Sequence, residues 1–187
     1  MKKMLLIAAM ALATVAANAQ WWVGGSLGYT FNTENDKNTD TKVNTHDFTI
    51  APEVGYDLNE NWSVAAAIGY NYHGNSDANN TGLFIKPYVR YNVIEFGPVQ
   101  FFLDGQLGYE YATNAVNTKT NTFGLGVAPG ISIAAGENLG FVAHLGQLGW
   151  NLESYKTDFP GAKSVVTNSF GFDFTSYSLN IGVYYKF

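Results

Sequence analysis

Apolar and polar residues alternate along several long segments of the chain. In the last segment every second residue is mostly apolar, and the positions between them are mostly small or polar. The two sets are Thr175, Tyr177, Leu179, Ile181, Val183, Tyr185 and Phe187, and Ser176, Ser178, Asn180, Gly182, Tyr184 and Lys186. Successive side chains of a strand point to opposite faces of its sheet, so this period of two predicts a strand. Residues 46–57 and 62–73 repeat the pattern.

Two short phrases recur in alternation along the chain. The first reads Leu27-Gly28-Tyr29-Thr30, Ile68-Gly69-Tyr70-Asn71, Leu107-Gly108-Tyr109-Glu110 and Leu148-Gly149-Trp150-Asn151, so its starts lie 41, 39 and 41 residues apart. The second has a proline at its centre, at Pro52, Pro87 and Pro129. A fixed period indicates a repeated supersecondary unit, and two phrases per period indicate two strands per unit. The sequence thus predicts an all-β chain with eight antiparallel strands at 20–31, 46–57, 62–73, 82–92, 99–111, 121–133, 139–152 and 174–187.

Aromatic residues gather at the two ends of the apolar faces, with smaller aliphatic residues between them. One level holds Trp21, Tyr56, Trp62, Tyr91, Phe101, Tyr185 and Phe187, and the other holds Tyr29, Phe31, Tyr70, Tyr72, Tyr109, Tyr111, Phe123 and Tyr177. A transmembrane barrel places such rings at both headgroup levels, whereas a soluble sandwich has no reason to sort them. Each predicted strand also reaches the roughly 9 to 11 residues needed to cross a bilayer at a tilt. The pattern predicts an up-and-down transmembrane β-barrel.

The connections between the predicted strands alternate in length. Short turns lie near Asn59, Phe96 and Gly136, and longer polar segments cover 32–45, 74–81, 112–120 and 153–173. Short turns face the periplasm and long loops face outside in bacterial barrels of this kind, so both termini are expected in the periplasm.

Two features interrupt the strand pattern. The three central prolines have outward parity, and we expect them at β-bulges because proline cannot donate a ladder hydrogen bond. In the seventh strand the apolar phase changes between Leu145 and Leu148. One extra residue, a β-bulge near Gly146-Gln147, would restore the alternation.

The first residues have the features of a secretory leader. Lys2 and Lys3 precede an apolar stretch from Met4 to Ala17, and Ala17-Asn18-Ala19 has the small-x-small pattern of a cleavage site. We expect residues 1–19 to be a cleaved signal peptide and residues 20–187 to form the barrel as one domain.

Composition narrows the classes of partner. Without the two leader lysines the chain has 8 Lys and Arg against 15 Asp and Glu, a net charge of 8 − 15 = −7. An acidic exported chain without a basic patch argues against nucleic acid as a partner. Cysteine is absent, which excludes a disulfide framework and a thiolate metal site.

With these features in place, the chain resembles the small outer-membrane β-barrel family typified by OmpX, Ail and the OmpA transmembrane domain. Its ending is similar to the C-terminal assembly signal of that family, whose defined positions are filled by Asn180, Gly182, Tyr185 and Phe187. The resemblance implies a bacterial outer-membrane location and recognition by the barrel assembly machinery. It also implies contact with outer-membrane lipid and lipopolysaccharide.

Candidate catalytic and metal-binding residues are few. His46 and His73 fall at the same ends of paired strands, but His46 has outward parity and His73 inward parity, which argues against a shared metal. Ser76-Asp77 together with His46 weakly resembles the catalytic residues of the acyltransferase type of lipid A enzyme. The His-x-Ser motif of the deacylase type does not occur in the sequence. Hydrolysis needs a nucleophile, a base and an orienting group that converge. We therefore predict no catalytic residue, no metal site and no cofactor.

Four charged residues with inward parity predict an ionic network in the lumen: Glu53, Lys86, Arg90 and Asp104. Closing the third hairpin over residues 74–81 would set Ala65 beside Arg90 and Gly69 beside Lys86. The short turns would set Glu53 beside Ala65 and Asp104 beside Lys86. On this register Arg90 reaches Glu53, and Lys86 reaches Asp104. Buried charges need partners, so such pairs would close the lumen.

Three functional classes follow from this reading. The first is a monomeric, non-enzymatic barrel in envelope structure and surface interaction, an adhesin whose loops contact a host or cell-surface ligand. The second is a small-solute porin, which the geometry opposes because side chains fill the interior of eight-stranded barrels. The third is a lipid A-modifying enzyme.

Overall fold

The computed structural model describes residues 21–36, 41–75, 79–114, 118–157, 164–173 and 180–187. They form ten β-strands: β1 (Trp21–Asp36), β2 (Thr41–Asp57), β3 (Trp62–Asn75), β4 (Asn79–Phe96), β5 (Val99–Asn114), β6 (Thr118–Ala134), β7 (Leu139–His144), β8 (Gln147–Thr157), β9 (Val165–Asp173) and β10 (Asn180–Lys186). This part of the chain contains no helix long and apolar enough to cross a membrane.

The strands close into an eight-stranded antiparallel barrel. From β1 to β6 each strand pairs with the next one in the chain. β7 and β8 both pair with β6 and lie end to end as the seventh wall strand. β10 and β9 pair with β7 and β8 and form the eighth wall strand. Pairing of β10 with β1 closes the wall, and the predicted fold class is confirmed.

The observed strands extend further than the predicted ones at one end of the barrel. β1 continues to Asp36 and β2 begins at Thr41, so most of the predicted loop 32–45 is a paired hairpin. The predicted loop 153–173 needs the same correction, because it contains the end of β8 and all of β9. Residues 174–179, where the sequence places the start of the last strand, lie outside the described residues.

One extra residue interrupts the seventh wall strand. Gly130 of β6 pairs with His144, and Val127, three residues earlier in β6, pairs with Leu148. Leu148 lies four residues after His144, so the seventh wall strand has one residue more than β6 over this step. Gly146 lies in this step and has a φ of 112°, a conformation that glycine adopts without strain. The predicted β-bulge is confirmed, and it keeps apolar side chains outward on both sides.

The prolines of the repeated phrase do not all mark bulges. Pairing offsets are unchanged across Pro52 and Pro87, so the prediction is wrong for these two. In an antiparallel sheet the N–H and C=O of one residue both bond to the same neighbouring strand. A proline without an N–H therefore interrupts the ladder on one side only, and the ladder on its other side is unbroken. Pro129 does face the bulge, where its carbonyl accepts a hydrogen bond from the Leu145 N–H at 2.9 Å.

The outer face of the wall is apolar, and the buried side chains lie in the lumen. Ile68, Leu83 and Leu125 at mid-wall each expose more than half of their surface. Aromatic rings contact one another at the end that holds Trp21 and Phe187, here called the terminal end, in the pairs Trp21–Tyr56, Trp62–Tyr91 and Tyr185–Phe187. Tyr29, Phe31, Tyr109 and Phe123 lie toward the opposite, distal end. Of the predicted aromatic positions, Tyr177 lies outside the described residues.

Candidate functional site

A buried ion pair lies in the lumen. Arg90 on β4 and Asp104 on β5 are directly paired in register. Arg90 Nε and Nη2 donate hydrogen bonds to the two carboxylate oxygens of Asp104, each at 2.8 Å. The side chains are 10% and 2% exposed. This bidentate geometry gives a guanidinium–carboxylate pair its strength and its fixed orientation.

Aromatic side chains and a histidine surround this pair. His144 Nε2 lies 2.8 Å from the second Asp104 oxygen. The Arg90 guanidinium lies 3.7 Å from the ring centroid of Phe102, which is 2% exposed. Phe102 packs against a backbone with no side chain, since a Cβ on Gly130 would lie 2.2 Å from its ring. Together with Tyr88, these side chains form a layer across the barrel, called the lumen plug: Tyr88, Arg90, Phe102, Asp104 and His144.

Glu53 and Lys86 lie on the distal side of the plug. Tyr88 donates its hydroxyl hydrogen bond to Glu53 Oε2 at 2.9 Å. Ala67 pairs with Glu53 on one side and with Lys86 on the other, so the two charges face each other across a methyl group. Lys86 thus has Glu53 as its first electrostatic neighbour, with Asp104 next.

All four residues of the predicted network line the lumen, but the predicted pairings are wrong. Arg90 pairs with Asp104 rather than reaching Glu53. The register of β3 on β4 differs by two residues, since Ser63 and not Ala65 lies beside Arg90. The reason is a tighter hairpin than the one assumed: Gly74 pairs with Asn79.

The plug divides the lumen into two chambers. A cavity of about 270 Å³ opens toward the terminal end and is lined by Ser63, Asn92, Gln100, Ser132, Tyr184 and Lys186, among others. A second cavity of about 270 Å³ lies toward the distal end, lined by Thr49, Asn71, Lys86, Glu110, Thr122 and Asn151. The space among Glu53, Tyr88, Asp104 and His144 measures about 20 Å³, which holds about one water molecule. This part of the lumen, where the side chains of the plug meet, therefore has little empty space.

The other candidate residues do not come together as a site. His46 lies on the outer face, where its Nδ1 is 3.0 Å from the Tyr29 hydroxyl, whereas His73 contacts Asp47. Within the described ranges no three His, Asp or Glu side chains are grouped to hold a metal ion. Ser76-Asp77 lies outside the described residues.

The C-terminal residues join three strands at the terminal end. Phe187 N–H donates to the Trp21 carbonyl at 3.1 Å, and Lys186 exchanges main-chain and side-chain hydrogen bonds with Asn138. Gly182 is needed for close approach, because a Cβ there would lie 2.8 Å from the Gly25 carbonyl. Tyr185 has its ring on the outer face. The side chain of Asn180 lies outside the described part, although its backbone pairs with β7.

Sequence reasoning missed three members of the plug: Tyr88, Phe102 and His144. All three have inward parity, and that signal was available in the alternation. An inward Phe two residues before the inward Asp104 is a sign of a filled lumen that the alternation already contained.

Comparison with known proteins agrees with this architecture. The family model "Outer membrane protein beta-barrel domain" matches residues 4–187. The fold is similar to the crystal structure of Neisserial surface protein A (NspA), with a TM-score of 0.52 and 18% identity over 91% of this chain and 98% of that chain. The outer membrane protein OprG from Pseudomonas aeruginosa gives a TM-score of 0.48 and 13% identity over 90% and 96%. No curated protein matches the sequence.

Proposed function

This chain belongs to the outer membrane protein beta-barrel domain family, and we propose that it is a non-enzymatic envelope barrel whose distal hairpins bind other surfaces outside the cell. Membership of this family implies the bacterial outer membrane. In our proposal both termini face the periplasm, the distal end faces outside, and the barrel acts as a monomer. The proposed partners are outer-membrane lipid, the assembly machinery during biogenesis, and a host or cell-surface ligand.

The filled lumen is the observation that carries this proposal. Solute passage through the centre requires the lumen plug to move, and the plug is fixed by two charge-assisted hydrogen bonds between Arg90 and Asp104 and by Phe102 packed on Gly130. Side chains fill the interior of eight-stranded barrels in general. Because side chains fill the interior, we expect the function of the barrel to depend on the surfaces that it exposes.

The distal hairpins offer that surface. Pairing of β1 with β2 continues from Phe31 at the aromatic level to Asp36, five residues further on. At about 3.4 Å per residue these five residues add about 17 Å along the strand beyond Phe31. β6, β8 and β9 also continue past Phe123, with pairs up to Thr118 and Val165. Paired strands therefore continue beyond the aromatic level on both sides of the segments 37–40 and 158–163.

Loop replacement tests the proposal. Residues 37–40 and 158–163 are replaced by Gly-Ser segments of equal length, and binding of the purified barrel in nanodiscs to intact host cells and bacterial surfaces is measured. The matched control replaces residues 136–137 at the terminal end, which leaves the hydrogen bonds between Asn138 and Lys186 in place. We expect binding to fall only for the distal replacements, with an unchanged folded yield. Equal binding by all three proteins would contradict the proposal.

Two further measurements address the alternative classes. Planar bilayers with the wild-type barrel should show no steady conductance, and a conductance like that of a larger porin would favour the pore. Mass spectrometry of lipid A from cells with and without the protein should give the same species. A change in acylation or phosphorylation would show an enzyme.

A further inference from the structure

The cavity toward the distal end, here called the distal chamber, is lined by two opposite charges that do not form an ion pair. They are Lys86 on β4 and Glu110 on β5. Glu110 pairs in register with Phe84, which lies two residues from Lys86 toward the distal end. Diagonal neighbours of this kind begin about 7 Å apart. Lys86 therefore lies at the floor of the chamber, next to the lumen plug, and Glu110 lies nearer its mouth.

Each of the two charges has hydrogen-bonding capacity left for a ligand. The Lys86 ammonium has three donors. Among the described side chains it has Glu53 and Asp104 as electrostatic neighbours but no hydrogen-bond acceptor. Glu110 accepts one hydrogen bond, from Asn71 Nδ2 at 3.1 Å, whereas a carboxylate has about four lone-pair sites. The chamber thus offers donors at its floor and acceptors toward its mouth.

A glycine of the first repeated phrase provides the space between these charges. Gly108 lines the chamber, and a Cβ built on it would have nothing within 4 Å. Its backbone is not in the left-handed region, so neither packing nor conformation requires glycine here. Glycine inside a strand weakens the strand and often marks a close approach of a ligand. At Gly69, by contrast, a Cβ would lie 2.1 Å from the Phe84 ring, which gives the chamber one apolar side.

We propose that the distal chamber binds a small zwitterion, a free α-amino acid, with its carboxylate on Lys86 and its ammonium on Glu110. One carbon separates the two groups of such a ligand, so a charge-assisted hydrogen bond of about 2.8 Å at each end bridges the two side chains. Polar groups of Thr49, Thr122 and Asn151 line the rest of the chamber. Its volume of about 270 Å³ lies just below the roughly 300 to 1,000 Å³ of pockets for drug-sized ligands, which suits a smaller molecule.

The ligand reaches this site from the distal end. Tyr88 and Arg90 of the lumen plug follow Lys86 along β4 toward the terminal end. A bound amino acid therefore enters and leaves at the distal mouth, and the site binds its ligand without passing it through the barrel. The proposal is separate from surface binding by the distal hairpins, because none of its residues lies in the segments 37–40 and 158–163.

Equilibrium dialysis of the full barrel in nanodiscs with radiolabelled L-serine tests the site. Two competitors of similar size each lack one charge: glycerate has a hydroxyl in place of the ammonium, and serinol has a hydroxymethyl group in place of the carboxylate. We expect L-serine to bind at least about tenfold more tightly than either analogue, because each analogue loses one charge-assisted hydrogen bond. Absence of L-serine binding up to about 10 mM would overturn the proposal. Equally tight binding of glycerate or of serinol would also overturn it, since the site would then select an anion or a cation.

Matched variants locate the ligand within the barrel. Lys86→Gln and Glu110→Gln should each weaken L-serine binding at least about tenfold, and Gly108→Leu should remove binding while both charges remain. Lys186→Gln, the same change in the terminal chamber, should alter binding by less than about twofold. Heat-modifiable mobility checks the folding of each variant, and the analogue series on the wild-type barrel needs no variant. Unchanged L-serine binding by folded Gly108→Leu, or by both Gln variants in the distal chamber, would overturn the proposal. Loop replacement should leave L-serine binding intact, so this proposal and surface binding fail separately.

Discussion

Removing both partners of the Arg90–Asp104 pair should destabilise the barrel by less than the sum of the two single removals. Asp104→Ala leaves the Arg90 guanidinium with neither of its two 2.8 Å hydrogen bonds, and Arg90→Ala leaves the Asp104 carboxylate with His144 alone. Breaking a buried pair by removing one member costs about 3 to 5 kcal/mol.

The surroundings of each residue determine how far the cost of removing its partner departs from this range. Arg90 lines the cavity toward the terminal end, so water can solvate a stranded guanidinium and lower its cost to about 2 to 3 kcal/mol. Asp104 is 2% exposed, but it retains His144 as a partner. We therefore expect both single variants to fall between about 2 and 5 kcal/mol. The double variant Arg90→Ala with Asp104→Ala leaves no unpaired charge and should be less destabilised than the sum of the two by at least about 2 kcal/mol.

Reversible urea unfolding in phospholipid vesicles measures this cycle. Tryptophan emission reports the transition, and heat-modifiable mobility confirms that the folded state is the barrel. Glu53→Ala is a second variant for comparison. It removes the acceptor of the Tyr88 hydrogen bond at 2.9 Å and the first electrostatic neighbour of Lys86, and it should cost about 1 to 3 kcal/mol. If the effects of Arg90→Ala and Asp104→Ala add without coupling, the two side chains do not act as a pair. If Arg90→Ala and Glu53→Ala both leave stability unchanged, the charged side chains do not hold the lumen closed.

Three further predictions address packing, assembly and topology. Gly130→Ala should destabilise the barrel by about 1 to 3 kcal/mol, because the added Cβ would overlap the Phe102 ring. Gly108→Ala is the matched control, since the space around Gly108 is open. Equal unfolding midpoints for the two variants would contradict this packing. Deletion of Phe187, or replacement of Tyr185 and Phe187 together by Ala, should lower the folded yield in the outer membrane. The deletion removes the backbone hydrogen bond to Trp21, and both changes remove the ring contact between Tyr185 and Phe187; normal heat-modifiable protein there would show that the signal is dispensable. An epitope tag at Thr39 should be labelled on intact cells, since loop tips tolerate insertion; a folded barrel labelled only after permeabilisation would invert the topology.

The face of each side chain was predictable, whereas its cross-strand partner was not. Parity is local: a residue two positions from an apolar one shares its face, which places Arg90 and Asp104 inside without knowledge of any partner. Register depends on where a hairpin closes. An error of two residues in the loop before Asn79 preserves every face and still moves Arg90 from Ser63 to Ala65. This explains why the members of the network were identified correctly while its pairs were not.

The length of the strands was underestimated for a different reason. Alternation of apolar and polar residues reports the solvent on each face, and it is strong only where one face meets hydrocarbon. β9 begins with Val165 and Val166, and the next three residues, Thr167, Asn168 and Ser169, are polar on both faces although they continue the ladder with β8. A strand that has left the bilayer meets water on its outer face and has no need of an apolar one. Hydrophobic periodicity therefore measures the membrane-embedded part of a strand, and the part beyond it is visible only in the hydrogen-bonded ladder.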